Sequence, residues 1–247
     1  MWPYPTMIAH RGGGSTAPEN TIAALEAGLR HGYRAVEFDV MLARDGIGVV
    51  MHDPDFGRTV PGPGTIAATN AADIARLDAG SWFAPAFAGE PVPLFVAFAA
   101  WCKAHGTWMN VEIKPTPGHD EATGRWVAET ARTLFAGESD MARLPLLSSF
   151  SADALRAARA AAPELPRAIA FEALPDDWEG QARELGVLSV HVDHRALTPA
   201  LAQAVKAAGF GLFCYTVNEP ERARTLLSWG VDAICTDRID LLPYRFN

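Results

Sequence analysis

Cysteine is scarce in this chain: three in 247 residues, at 102, 214 and 235, odd in number, widely spaced and each set in an apolar run. That argues against a disulfide framework and predicts three reduced, buried thiols. Long hydrophobic runs are missing too. No stretch approaches the roughly 18 apolar residues of a membrane span, and the opening MWPYPTMIAHRG has no basic region followed by an apolar one. A cytoplasmic protein without stable membrane association is expected. Blocks of Lys and Arg are also absent, and 29 acidic against 21 basic residues give a formal net charge of −8. A nucleic-acid partner is therefore not expected. An anionic substrate would have to be met locally, by a metal or a few placed cations, because the long-range field opposes it. Nothing in the composition sets an oligomeric state.

What is present is alternation. Short β-rich runs (TMIAHR, AVEFDV, WMNVEI, PLLSSF, RAIAFE, LSVHVD, FGLFCYTV and VDAICT) are separated by Ala/Leu-rich amphipathic segments such as TIAALEAGLRHG, SADALRAARAAA, TPALAQAVKAAG and EPERARTLLSWG. Eight strands with intervening helices, in a chain of this length, predict an α/β fold of the (β/α)₈ TIM-barrel type. An open, doubly wound sheet would carry a spaced glycine-rich phosphate turn after its first strand, whereas Gly12, Gly13 and Gly14 are an unspaced run. Ser151 and Thr198 are placed to cap helices, and glycines 32, 209 and 230 to end them. Residues 1–247 read as one barrel domain. The segment 54–93, rich in Pro, Gly and aromatics, is too long for an ordinary βα loop and reads as a small insertion or lid after the second strand's hairpin.

In AVEFDVMLARDGIGVVMHDPD, Glu37 and Asp39 are two apart on a strand, so both point to one face. Val36, Phe38 and Val40 predict burial of the other face as well. Two carboxylates inside a barrel are costly unless a cation or protons join them, which points to a divalent metal. Asp45-Gly46 is a two-residue hairpin signal, and with that loop His52 falls directly opposite Asp39. In NVEIKP, Glu112 and Lys114 share a strand face, either as an ion pair or as a third oxygen ligand beside a phosphate-facing amine. His10 and Arg11 end the first strand, at the edge where barrel catalytic groups sit, with Pro18-Glu19-Asn20-Thr21 close behind. Asn20 has capping of the next helix as its plainer role. His191 and Asp193 share a strand face and are expected either to line the lower cavity or to form a hydrogen-bonded pair.

The ordered set HRGGGSTAPENT, VEFDV, MHDPDFGRT, VEIKP, SSF, YTVN and VDAICTD resembles the glycerophosphodiester phosphodiesterase family from about Met7 to Asp240. The resemblance implies a (β/α)₈ barrel, a divalent metal (Mg²⁺ or Ca²⁺), and hydrolysis of a small-molecule glycerophosphodiester to an alcohol and sn-glycerol 3-phosphate. It implies His10 and His52 as the catalytic histidines, Glu37, Asp39 and Glu112 as metal ligands, and Arg11 and Lys114 on the phosphate. Glu19 and Asn20 match a supporting motif. Tyr215 stands where similar proteins have Trp, so the aromatic surface facing the glycerol is smaller or gains a hydroxyl; Ile239 stands where Pro is frequent. The alternatives are a phospholipase-type phosphodiesterase or lyase that stops at a cyclic phosphate, and a non-catalytic binding protein, which should lack a histidine or a ligand.

Overall fold

A computed structural model of the chain describes residues 2–246. Eight parallel strands close on themselves: β1 (Met7–Ala9), β2 (Ala35–Leu42), β4 (Trp108–Ile113), β5 (Leu146–Ser149), β6 (Arg167–Phe171), β7 (Ser189–Asp193), β8 (Gly211–Tyr215) and β9 (Ala233–Thr236), with β1 pairing both β9 and β2. The strand β3 (Gly48–Val50) lies outside the ring, antiparallel to β2. The predicted (β/α)₈ barrel is therefore the observed one, and each predicted strand overlaps an observed one, β2 running two residues past its predicted end.

Strand parity sorts the side chains. On β2, Val36, Phe38 and Val40 face outward into the main core, where Phe38 meets Phe98 at 4.5 Å and Phe95 at 6.1 Å between ring centroids, both from α3 (Phe95–Ala104). The opposite face of each strand points inward. The floor of the barrel is apolar: Ile8, Ala35, Trp108, Leu146, Ala168 and Ala233 pack together, closed from below by Trp2 and Tyr4 of the N-terminal segment. Above it the interior turns polar, with Glu37, Asn110, Ser148 and His191 where a barrel ordinarily places branched apolar residues.

The helices start and stop where the residues direct. Ser151 caps α5 (Ala152–Ala161) and Thr198 caps α7 (Pro199–Ala207), each accepting from a backbone N–H three residues on. Gly32, Gly209 and Gly230 follow helices at positive φ. All three cysteines are buried and unpaired.

The hairpin differs from expectation by one residue. Gly46 N–H donates to the Ala43 carbonyl and Ala43 N–H to the Ile47 carbonyl, both at 2.9 Å, with Gly46 at φ 75°. This is a three-residue loop with a left-handed glycine rather than a two-residue turn. Val40 therefore pairs with Val50, and Met51, not His52, lies opposite Asp39, its N–H reaching the Asp39 carbonyl at 3.2 Å. His52 reaches the mouth because the chain leaves β3 after Val50.

Residues 54–93 carry the short helix α2 (Ala71–Ile74) and a small core of Val60, Ile66, Ala71, Ile74, Ala79 and Val92 that closes on Met41, Val49 and Met51. Phe83 packs edge to face on both Trp82 and Phe87, and Phe87 rests on Ala17 and on Ala24 and Ala27 of α1 (Ile22–Arg30). They sit on the flank of the barrel and line neither cavity at its mouth.

The loop after β1 is held tightly. Gly14, at φ 54°, lies so close to the Asp237 carbonyl that a Cβ would sit 2.1 Å from its oxygen, and Ser15 N–H donates to the same oxygen at 2.7 Å. Gly32 has φ 85° but open space around it. Replacing Gly32 with Ala should cost about 1 kcal/mol, the backbone term alone. Gly14→Ala adds a steric clash and should cost about 3 kcal/mol or more. Urea unfolding of the two variants checks this; equal losses would refute the close contact.

Candidate active site at the barrel mouth

Parallel pairing of β2 with β4 sets Asp39 beside Glu112 and Glu37 beside Asn110. Glu37, Asp39 and Glu112 each bring a carboxylate oxygen within 4.8 Å of the others. At that separation and an effective dielectric near 20, each pair of full charges repels by about 3 kcal/mol. The titration behaviour follows. Burial first, then the neighbouring carboxylates Asp39 and Glu112, drive Glu37 well above the usual range. Burial and Asp39 push Glu112 up to about 8. Asp39 goes the other way: burial would raise it, but Lys114, His52, Arg11 and a hydrogen bond from Asn20 outweigh that and bring it to about 2. Without a cation the cluster therefore favours a proton on Glu112 at neutral pH, while Asp39 keeps its charge.

Three hard oxygen donors suit Mg²⁺ or Ca²⁺, and the surroundings agree with that donor set. The Asn20 amide donates to Asp39 Oδ2 at 2.9 Å, while its own Oδ1 is buried without a partner. Asn20 stands at φ 59° and Arg11 at φ 51°, left-handed conformations that non-glycine residues hold only where the surroundings enforce them. Thr21, not Asn20, caps α1.

The cations are placed over the carboxylates. Arg11 donates through Nη1 to Glu19 Oε1 at 2.7 Å and through its backbone N–H to Glu37 Oε2 at 3.2 Å, with Nε 3.7 Å from Asp39 and otherwise unpartnered. Lys114 Nζ donates to Asp39 Oδ1 at 3.3 Å, so its ion pair is with Asp39 rather than Glu112. Glu19 is gripped on its other side by Arg58, from the insertion.

Both histidines have one ring nitrogen occupied by a carboxylate. His10 Nδ1 lies 2.6 Å from Asp237 Oδ1, and His52 Nδ1 lies 2.7 Å from Asp53 Oδ1. An ionised carboxylate only accepts, so each Nδ1 carries the proton and each Nε2 is left for the site. Asp237 is kept ionised: burial would raise it, but the His10 contact and Asn218, donating at 3.0 Å, hold it below its ordinary value. Asp53 is kept ionised in the same way, burial being outweighed by its contacts with Arg58 and His52. Burial lowers His52 and Asp39 only partly restores it. Asp237, Asp53, Asn218 and Arg58 were not singled out from the sequence, though all four lie in its recognised motifs, MHDPDFGRT, YTVN and VDAICTD.

Two cavities meet here. One, narrow, descends between His10, Glu37, Glu112 and Tyr215 to His191 and Cys235. The other, wider and open to solvent, runs past His52, Glu112 and Lys114 to Phe150 and Glu172. Phe150 meets Tyr215 edge to face at 5.8 Å, and the Tyr215 hydroxyl donates to the Phe171 carbonyl at 2.7 Å. His191 lines the lower cavity, stacked on Phe213. It forms no pair with Asp193, which is held by Arg195 in the following loop.

Residues 10–241 match the model of the glycerophosphoryl diester phosphodiesterase family. A glycerophosphodiester phosphodiesterase of Caldanaerobacter subterraneus is 31% identical over 236 residues, spanning 94% of this chain and 93% of that one. Among solved structures, an Oleispira antarctica phosphodiesterase in complex with the product sn-glycerol-3-phosphate is 33% identical, with a TM-score of 0.89 over 98% of this chain and 95% of that one. A glycerophosphodiester phosphodiesterase of Agrobacterium tumefaciens superposes with a TM-score of 0.79 at 26% identity, over 96% and 98%. Similarity along almost the whole length, in sequence and in fold, leaves one assignment: the chain belongs to the glycerophosphoryl diester phosphodiesterase family.

Proposed function

We propose that the chain hydrolyses glycerophosphodiesters to an alcohol and sn-glycerol 3-phosphate, with His10 and His52 as general acid and base and a divalent cation on Glu37, Asp39 and Glu112. The observation that carries this reading is the pair of carboxylate-anchored histidines flanking a cluster of three carboxylates at the barrel mouth. Family membership and the product bound to the Oleispira relative support the substrate class. Mg²⁺ or Ca²⁺, when bound, would supply positive charge to offset the negative charge that builds up on the phosphoryl oxygens.

The chain's own groups do the rest. Arg11 and Lys114 turn from their carboxylates to the phosphate, Arg11 offering its unpartnered Nε. Glu19 holds the Arg11 fork, and Asn20 holds Asp39. Asp237 and Asp53 keep the protons on Nδ1, so that a neutral Nε2 accepts a proton from the attacking hydroxyl or water and a protonated one delivers it to the departing alcohol. Tyr215 and Phe150 flank the substrate where the two cavities meet. In this reading residues 1–247 act as one domain, 54–93 is a small insertion that reaches the site through Arg58, and the unpaired thiols favour a cytoplasmic setting.

Purified protein should release glycerol 3-phosphate from glycerophosphocholine, lose that activity in EDTA and regain it with Mg²⁺ or Ca²⁺. His10→Ala and Glu112→Ala should each lower kcat/KM by about 100-fold or more. Failure of a folded, metal-supplied protein to cleave any glycerophosphodiester would sink the reading. A cyclic phosphate as end product would favour the lyase alternative.

Asp237→Asn should lower kcat about 10- to 100-fold with little change in KM, since it disturbs the His10 tautomer rather than binding. A change confined to KM would contradict that role. The pH profile should be bell-shaped, rising as the base loses its proton and falling as the acid loses its own. If His52 is the base, its lowered pKa places the rising limb below the ordinary histidine value of 6.5. A monotonic profile through the histidine range argues against the pair.

A further inference from the structure

Beneath the carboxylate cluster lies a second set of ligating atoms with a different chemistry. Cys235, on the inward face of β9 and fully buried, lines the lower cavity together with His10 and Glu37. One donor atom from each of the three lies within 4.8 Å of the others. His10 Nε2 and Glu37 Oε2 are 3.7 Å apart. Two bonds of about 2.1 Å at a tetrahedral angle need about 3.4 Å, so a shift of a few tenths of an ångström brings both onto one ion.

The donor types are imidazole nitrogen, carboxylate oxygen and thiol sulfur. Hard cations such as Mg²⁺ and Ca²⁺ bind oxygen, whereas sulfur with nitrogen is the preference of Zn²⁺. The second shell fits as well. Zinc-ligating histidines typically donate their other ring N–H to a carboxylate, and Asp237 already accepts from His10 Nδ1. Burial pushes the Cys235 thiol well up. A coordinating cation displaces that proton to solvent, the sulfur's electron pair passing to the metal.

We propose that His10, Glu37 and Cys235 form a second metal site that takes Zn²⁺ and thereby silences the enzyme. Zinc there removes Glu37 from the hard-cation cluster and occupies the Nε2 that His10 needs for proton transfer. The donor set stands independently of the substrate reading, so the two are tested by separate measurements.

The probes are Co²⁺, as a spectroscopic substitute, and Zn²⁺. Titrating the metal-free full chain with Co²⁺ should produce a near-ultraviolet thiolate-to-cobalt charge-transfer band in the wild type and in Cys214→Ser, and none in Cys235→Ser. The Zn²⁺ concentration that halves Mg²⁺-supported turnover should rise about tenfold or more in Cys235→Ser relative to wild type. Thermal unfolding of Cys235→Ser checks that the variant folds. A wild type without the band, a band that survives Cys235→Ser, or equal zinc sensitivity overturns the proposal. Absence of phosphodiesterase activity with the band present would instead overturn only the reading of function.

Discussion

Mutual repulsion among Glu37, Asp39 and Glu112 is the constraint around which the upper barrel is organised. Three carboxylates brought together by neighbouring strands cannot all stay charged in a partly desolvated site. Each surrounding feature answers that problem: Lys114 and Arg11 lean on Asp39, Asn20 hydrogen-bonds it, and Arg11 offers its backbone N–H to Glu37. The left-handed backbone at Arg11 and Asn20 is tolerated because it aims these groups. The same requirement explains why the barrel's middle layer is polar and leaves a cavity above the sealed apolar floor. Stability is concentrated in the outward faces of the strands and in the floor, and chemistry in the remaining inward positions.

Most of this was legible in the residues. Strand parity alone put Glu37 and Asp39 on one face, and the alternation of short β runs with amphipathic helices was enough for the barrel. The hairpin register was not. Asp45-Gly46 is compatible with a two-residue turn and with a three-residue loop whose last residue is a left-handed glycine, and these differ by one residue of register. The choice depends on packing against the insertion, with Met51 entering its core, and no local pattern carries that information.

The histidine partners were missed for another reason. Asp53 adjoins His52 in sequence, but which of its two neighbours a carboxylate serves is decided by Arg58, five residues on and across a turn. Asp237 meets His10 only because barrel closure brings the last strand beside the first. His191 and Asp193 show the converse: a shared strand face made a pair plausible, yet Asp193 stands one layer higher and is claimed by Arg195. Long-range closure and competition for partners are properties of the assembled barrel.

Arg58 ties the insertion's fold to the state of the site. It donates at once to Asp53, which holds His52, and to Glu19, which holds Arg11. The segment that carries it has its own small core, smaller than the barrel's and built on few apolar side chains. Such satellite units open more often than the scaffold they rest on. Because one guanidinium joins both carboxylates, the settings of His52 and Arg11 share a single support, and a change in the insertion's packing would reach both side chains at once.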